Sequence, residues 1–244
     1  MLDSQPLFLA LDFQSAEEAL TFLDTHQLHH IPVKVGMELF YREGSSIIEA
    51  LNEREHPIFL DLKLHDIPNT VKQAMKSLAS LNIDVINVHA SGGKNMMEAA
   101  QEGLHEGTKA GQDKPLLLAV TQLTSSSEEM LHNELLIPHQ IEKVVTHYAQ
   151  MAKEANVDGV VCSVAEASII AEVCGDSFYR LTPGIRLKDQ PHQDQVRIAT
   201  PEKARKAGAS AIVVGRGVTT SESPQKAYQQ YMKEWKHGHK TTLS

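Results

Sequence analysis

The chain has 244 residues, of which 41% are hydrophobic and 22% charged, with a formal net charge of -8 at pH 7. This is the balance of a soluble globular protein with a sizeable core, in one large domain or two small ones, and it excludes wholesale disorder. The negative charge is wrong for general nucleic-acid or anionic-membrane binding, so an anionic small molecule would need a local basic pocket.

Short apolar runs, each followed by a longer amphipathic stretch, recur from end to end. Strands are expected over Leu7 to Phe13, Ile31 to Gly36, Ile58 to Leu64, Val85 to Ala90, Leu116 to Leu123, Gly159 to Ser163, Phe178 to Gly184 and Ala211 to Gly217. Between them, Ser15 to Gln27, Pro68 to Leu81, Asn95 to Lys109, His139 to Ala155 and Pro224 to Trp235 read as helices, several with Ser, Asn or Pro near their starts. Strands rich in Val, Ile and Leu on both faces suit a covered parallel sheet, and eight β/α units in this length favour a single α/β domain, a closed (β/α)8 TIM barrel over residues 1–244. A doubly wound open sheet is the rival, but Leu11-Asp12-Phe13-Gln14 stands where its Gly-rich fingerprint would follow the first strand. Thr124 to Pro138 is longer and more polar than a β/α turn needs and is expected to be a mobile loop above the barrel mouth, Arg186 to Ala199 has the same character, and a polar tail is expected from about residue 236.

Met1 to Pro6 has no basic segment leading into an apolar one, and no apolar run approaches the roughly 18 to 20 residues that span a bilayer, so a cytoplasmic protein without membrane contact is expected. Cys162 and Cys174 are expected as buried reduced thiols.

In Phe59-Leu60-Asp61-Leu62-Lys63-Leu64-His65-Asp66, the charged Asp61 and Lys63 lie two apart and share one face of a strand, with Leu60, Leu62 and Leu64 on the other. A structural salt bridge is the plain explanation of such a pair. Position argues otherwise, because barrel enzymes place their sites at the C-terminal ends of strands, and Asp66 follows at the strand exit. Lys34 near the end of the second strand and Asp12 near the end of the first interrupt apolar runs in the same way. Four such charges on three successive strands point to a shared polar cleft. Toward the C-terminus, Thr182-Pro183-Gly184-Ile185-Arg186 and Val214-Gly215-Arg216-Gly217 close the last two strands, where barrels frequently bind phosphate; glycine permits close backbone approach and arginine presents a planar fork of donors. His26, His29 and His30 fall in a solvated turn, and His65 and His89 find no third ligand at metal spacing, so no metal site is expected.

These motifs resemble the orotidine 5'-phosphate decarboxylase family, particularly its bacterial form, along essentially the whole chain. The resembling segments are Leu9 to Asp12, Val33 to Gly36, Asp61-Leu62-Lys63-Leu64-His65-Asp66-Ile67-Pro68-Asn69-Thr70, Asn87 to Ala90, Thr121 to Ser125, Thr182 to Arg186 and Val214 to Arg216. The resemblance implies a decarboxylase needing no cofactor that converts orotidine 5'-monophosphate to UMP. It implies catalytic roles for Lys34, Asp61, Lys63 and Asp66, with Lys63 protonating C6 as CO2 leaves. Substrate contacts are implied for Asp12, Lys34, Ile67 and Thr70, for Thr124 at the pyrimidine, and for Arg186, Gln195, Gly215 and Arg216 at the 5'-phosphate. It further implies a homodimer in which Asp66 and Thr70 enter the neighbouring active site.

Two other readings share these residues. A sugar-phosphate decarboxylase or aldolase on the same barrel, such as 3-keto-L-gulonate 6-phosphate decarboxylase, has the DxKxxD pattern but uses Mg2+; it carries an acid where this chain has Lys34, whose ammonium would repel the cation. A silent nucleotide-phosphate binding protein is the other, against which the intact Asp61, Lys63 and Asp66 argue.

Overall fold

The computed structural model describes residues 5–188 and 199–238. Eight parallel strands close into a barrel in the order of the sequence: β1 (Leu7–Ala10), β2 (Val33–Gly36), β3 (Ile58–Leu64), β4 (Val85–His89), β5 (Leu116–Val120), β6 (Gly159–Val161), β7 (Tyr179–Thr182) and β8 (Ala211–Val214), with β8 pairing back to β1. The closed barrel rules out the open doubly wound sheet. Its helices are α1 (Ala16–Thr25), α2 (Met37–Glu43), α3 (Ser46–Asn52), α4 (Pro68–Ala79), α5 (Lys94–Gly107), α6 (Glu128–Asn133), α7 (Ile141–Glu154), α8 (Val164–Cys174), α9 (Pro201–Lys206), α10 (Arg216–Thr219) and α11 (Pro224–His237). None is long and apolar enough to cross a membrane.

The strands follow the period of two. Leu7, Leu9 and Leu11, Val33 and Val35, and Ile58, Leu60 and Leu62 face outward into the main core beneath the helices. The residues between them face the barrel axis, where Phe8, Ala10, Phe59, Val85, Leu118, Val120, Val161, Leu181, Ala211 and Val213 form a second, interior core. Phe8 and Phe59 meet edge to face, their ring centroids 5.9 Å apart, and close the barrel from below. One step further along the same inward rows the side chains become Asp12, Lys34, Asp61 and Lys63. Alternation therefore carries these charges to the C-terminal mouth, above an apolar floor.

Most strands end two to three residues before the apolar runs do, although the amides of Leu11, Thr121 and Cys162 still donate across to the next strand one residue further on. Arg216, expected at the end of the last strand, instead opens α10. The stretch Thr124 to Pro138 contains α6, whose first turn is capped by Ser127 accepting from the Met130 amide. The Arg186 to Ala199 connection is pinned at both ends: Ala199 N–H donates to Gly184 O, and Arg186 N–H to Ala199 O. Its residues 189–198 lie outside the described residues, as do most of those in the expected polar tail; α11 itself runs to His237. Cys162 and Cys174 are both buried, reduced thiols.

α4 and α5 cross unusually closely. A Cβ at Gly103 would lie 2.2 Å from the Lys72 carbonyl oxygen, and one at Gly107 would lie 2.1 Å from that of Lys76. Lys72 and Lys76 then reach across to Glu102 and Glu106 along the exposed seam. This packing holds the middle and later turns of α4 against α5.

Candidate active site

A cavity of about 330 Å3 opens at the C-terminal end of the barrel. Its floor is Ala10, Phe59, Val120, Val161, Leu181 and Val213, and its walls carry Asp12, Lys34, Asp61, Lys63, Gln122, Thr124, Arg186, Gly215 and Arg216. Eight of the residues singled out from sequence are thus brought together. Asp66, Ile67 and Thr70 are not: they sit where β3 leads into the exposed first turn of α4, with Ile67 67% exposed, and the Asp66 carboxylate accepts from the adjacent Ile67 amide at 2.6 Å. Gln195 lies outside the described residues.

Asp61 is the centre of the charged group. Its Oδ1 accepts from Lys63 Nζ at 2.7 Å, and its Oδ2 lies 3.4 Å from Lys34 Nζ. Lys34 also reaches Asp12 Oδ1 at 3.3 Å. Signs alternate around the rim from β1 to β3, and the four charges sum to zero. Both Asp61 and Lys34 are largely buried, which costs free energy for each ion alone; their mutual pairing decides the outcome. Burial works against the Asp61 carboxylate, yet Lys34, Lys63 and the Asn87 amide outweigh it and hold its pKa below the ordinary value. Burial likewise works against the Lys34 ammonium, but Asp61 and Asp12 overcome it and raise its pKa. Both groups stay charged at neutral pH. Gly36 leaves the room Lys34 needs, since a Cβ there would come within 3.1 Å of Nζ.

β3 departs from regular geometry at its end. Leu60 pairs with Ile86 of β4, but Val88 pairs with Leu64, so β3 carries two extra residues across this span. Because the insertion is even, inward and outward faces are preserved. The distortion falls on Lys63, whose φ of +53° lies in the left-handed region that a side chain beyond Cβ disfavours, at roughly 1–3 kcal/mol. Asn87 of β4 fills the resulting gap: its Oδ1 accepts from the Lys63 amide and its Nδ2 donates to Asp61 Oδ1, both at 2.7 Å. The sequence reading gave Asn87 no role. Its signal was there: Val85, Asn87 and His89 occupy the inward row of β4, so a wholly buried amide had to find partners on the axis side.

The rings of His65 and His89 lie 5.8 Å apart, centroid to centroid, tilted by 46°. Burial, the neighbouring His65 and Lys63 lower the His89 pKa, so its ring is neutral at pH 7. The described residues contain no group of three His, Cys, Asp or Glu arranged to hold a metal ion.

Opposite β3, Gly184 (φ +79°) turns the chain after β7. The Arg186 guanidinium donates to Ile185 O at 2.9 Å on the cavity wall, and Gly215 and Arg216 lead from β8 into α10 beside it. Arg186 and Arg216 thus line the side of the cavity formed after β7 and β8, and the alternating charges line the side formed by β1 to β3, with Asp12 beside Gly215.

Comparison with known proteins agrees with this geometry. The family model for the orotidine 5'-phosphate decarboxylase / HUMPS family matches residues 5–231. An orotidine 5'-phosphate decarboxylase of a Geobacillus species is 54% identical over 233 residues, covering 96% of this chain and 98% of the relative. That of Bacillus cytotoxicus is 54% identical over 232 residues, covering 95% and 98%. The crystal structure of orotidine 5'-phosphate decarboxylase from Lactobacillus acidophilus superposes with a TM-score of 0.86 at 44% identity, covering 95% of this chain and 99% of that one. By its barrel, its strand-end charges and its similarity over nearly its full length, the chain belongs to the orotidine 5'-phosphate decarboxylase / HUMPS family.

Proposed function

We propose that this chain is a carboxy-lyase, a single-domain (β/α)8 barrel that converts orotidine 5'-monophosphate to UMP and CO2 in pyrimidine biosynthesis without a metal or cofactor. The observation that carries this reading is Asp61 held between Lys34 and Lys63 at one end of a cavity whose other end is lined by Arg186, Gly215 and Arg216. The order of groups around the rim fits the parts of the substrate. The arginines after β7 and β8 suit the 5'-phosphate, Asp12 and Lys34 on β1 and β2 suit the ribose hydroxyls, and Asp61 and Lys63 on β3 reach the base. Thr124 lies on the loop after β5, across the mouth, where it would meet the pyrimidine.

In the chemical step the bond from C6 to the carboxylate breaks and its electron pair stays in an in-plane orbital on C6, which the ring cannot delocalise well. The Lys63 ammonium stabilises that pair and then gives it a proton, leaving a neutral amine that regains its proton from water. One charge at about 4 Å contributes roughly 4 kcal/mol at an effective dielectric of 20, too little by itself for a demanding decarboxylation. Phosphate binding energy, realised as the loops close over the arginine end, supplies a further share although the phosphate does not react. A Mg2+-dependent reaction fits poorly, since Asp61, the buried acid of the array, gives Oδ1 to Lys63 and Asn87 and faces Lys34 with Oδ2.

The exposed turn carrying Asp66, Ile67 and Thr70 supports a homodimer in which Asp66 and Thr70 complete the partner's site. Ile67 is an apolar side chain left in water beside a carboxylate that has no ion pair among the described residues, at the start of a helix that packs closely on α5 further along.

The test follows the ultraviolet absorbance of orotidine 5'-monophosphate with wild-type protein and with Lys63→Ala, both in excess EDTA. Conversion to UMP by the wild type, slowed at least about 10^4-fold in the variant, is expected from the combined loss of a proton donor and a fixed charge. No conversion by folded wild type would overturn the reading.

A further inference from the structure

We infer that Asn87 is the positioning residue of this site: its carboxamide clamps the left-handed Lys63 backbone and the Asp61 carboxylate together, and so governs the chemical step rather than substrate affinity. The inference rests on the decarboxylase reading above, but concerns a residue to which that reading assigns no substrate contact.

The chemistry of the two partners dictates what can stand between them. A backbone N–H only donates and an ionised carboxylate only accepts, so the bridge must offer one acceptor and one donor side by side. A carboxamide does this. With Oδ1 on the Lys63 amide and Nδ2 on Asp61 Oδ1, the orientation of the amide is fixed by its partners. Aspartate would present an acceptor to an acceptor, serine lacks the reach, and glutamine would force an extra methylene into a position with no exposed surface. The clamp also explains how the insertion in β3 is tolerated, for the Lys63 amide bonds to a side chain across the irregular stretch.

Loss of the clamp should therefore misplace the ammonium by a fraction of an ångström to an ångström, enough to lower a rate on the order of 100-fold. The phosphate and ribose contacts sit elsewhere on the rim and should keep their strength. The groups facing Asn87 are Asp61 and Lys63 from β3, Lys34 of β2 through Asp61, and His89 on its own strand with His65 beyond it; β5 offers Leu118 in register. In Asn87→Asp the new carboxyl would abut Asp61, and one proton shared between them would restore a donor as pH falls. Wild type carries the same histidines, so the ratio of variant to wild-type rate isolates this proton.

The experiment measures kcat for orotidine 5'-monophosphate and Kd for UMP in wild type, Asn87→Asp and Asn87→Ser, together with hydrogen exchange at the Lys63 amide. Support would be a kcat lowered about 100-fold with UMP affinity within threefold, at least tenfold recovery of the Asn87→Asp to wild-type ratio between pH 8.5 and 5.5, and a Lys63 amide protected in wild type and exchanging freely in Asn87→Ser. A kcat within threefold of wild type, or equal losses of kcat and UMP affinity with no recovery at low pH, would overturn the inference. Should Asn87→Asp fail to fold, Asn87→Ser decides by the split between kcat and affinity and by amide exchange. An inactive wild type whose Lys63 amide is protected by Asn87 would count against the decarboxylase reading and leave the clamp standing.

Discussion

Replacing Asp61 by asparagine keeps shape and removes one charge from between two ammonium groups. At an effective dielectric of 20, the attractions over 2.7 Å to Lys63 and 3.4 Å to Lys34 are roughly 6 and 5 kcal/mol before solvation is counted. Desolvation offsets much of this, because Asp61 and Lys34 side chains are only 13% and 12% exposed. Removing one partner of such a buried set leaves the others uncompensated, and the net loss expected for Asp61→Asn at pH 7 is about 3–5 kcal/mol. The pH dependence has a definite sign. The folded pKa of Asp61 lies below its unfolded value, so its contribution is fully present above the unfolded pKa and is lost as pH falls through the lower folded pKa. The stability gap between wild type and variant should thus be constant from pH 7 to about 5 and close below pH 4. Urea unfolding at equal protomer concentration measures it, with Trp235 as the probe: the chain's single tryptophan is 3% exposed beneath the Arg205 guanidinium. A gap below about 1 kcal/mol at pH 7, or one that widens toward acid, would refute the view that Asp61 is held as a charged keystone.

Neither Lys63→Ala nor Asp66→Ala homodimers should turn over well, whereas subunits mixed and re-associated should recover about a quarter of wild-type activity, because half the dimers would hold one intact site; no recovery in confirmed heterodimers would exclude a shared site. Arg216→Ala should lower kcat/KM for orotidine 5'-monophosphate by about 10- to 150-fold, as loss of a charge-assisted contact, but leave turnover of the dephosphorylated nucleoside unchanged. Phe59→Ala should remove the floor ring that packs on Phe8 and destabilise the barrel by about 3–5 kcal/mol in denaturant unfolding. Gly103→Ala should force α4 off α5, since its Cβ meets the Lys72 carbonyl at 2.2 Å, and cost about 1–3 kcal/mol, read as a lowered melting temperature.

The barrel was legible because period and parity speak directly in sequence. Leu7, Leu9 and Leu11 against Phe8, Ala10 and Asp12 already separate the helix-facing from the axis-facing row, and the same parity places Lys34, Asp61 and Lys63 together at the mouth. Strand ends were less legible. The apolar run through Leu11 continues past Ala10, where β1 ends, because Leu11 is still buried and its amide still donates to Lys34 O although its bridge pairing has stopped. α2, α3, α6 and α10 are four to seven residues long, too short for a periodic pattern to register. The insertion in β3 left no composition signal at all, since Leu62 and Leu64 keep the alternation of an ordinary strand. Only the register against β4 shows it, and with it the reason for Asn87.

The division of labour between strands and loops follows from these contacts. Asp61 and Lys63 stand on β3, their neighbours on β2 and β4 hold them by bonds of 2.7 to 3.4 Å, and the cavity floor beneath is fully packed. Such an array needs little reorganisation when charge develops on a substrate, which is where electrostatic stabilisation gains most over water. The arginine end is built instead on the connections after β7 and β8. On the reading proposed above, binding energy gathered on those connections would be expressed against a rigid charged array rather than dissipated by it, and the left-handed Lys63 marks the point where regular strand geometry yields to that requirement.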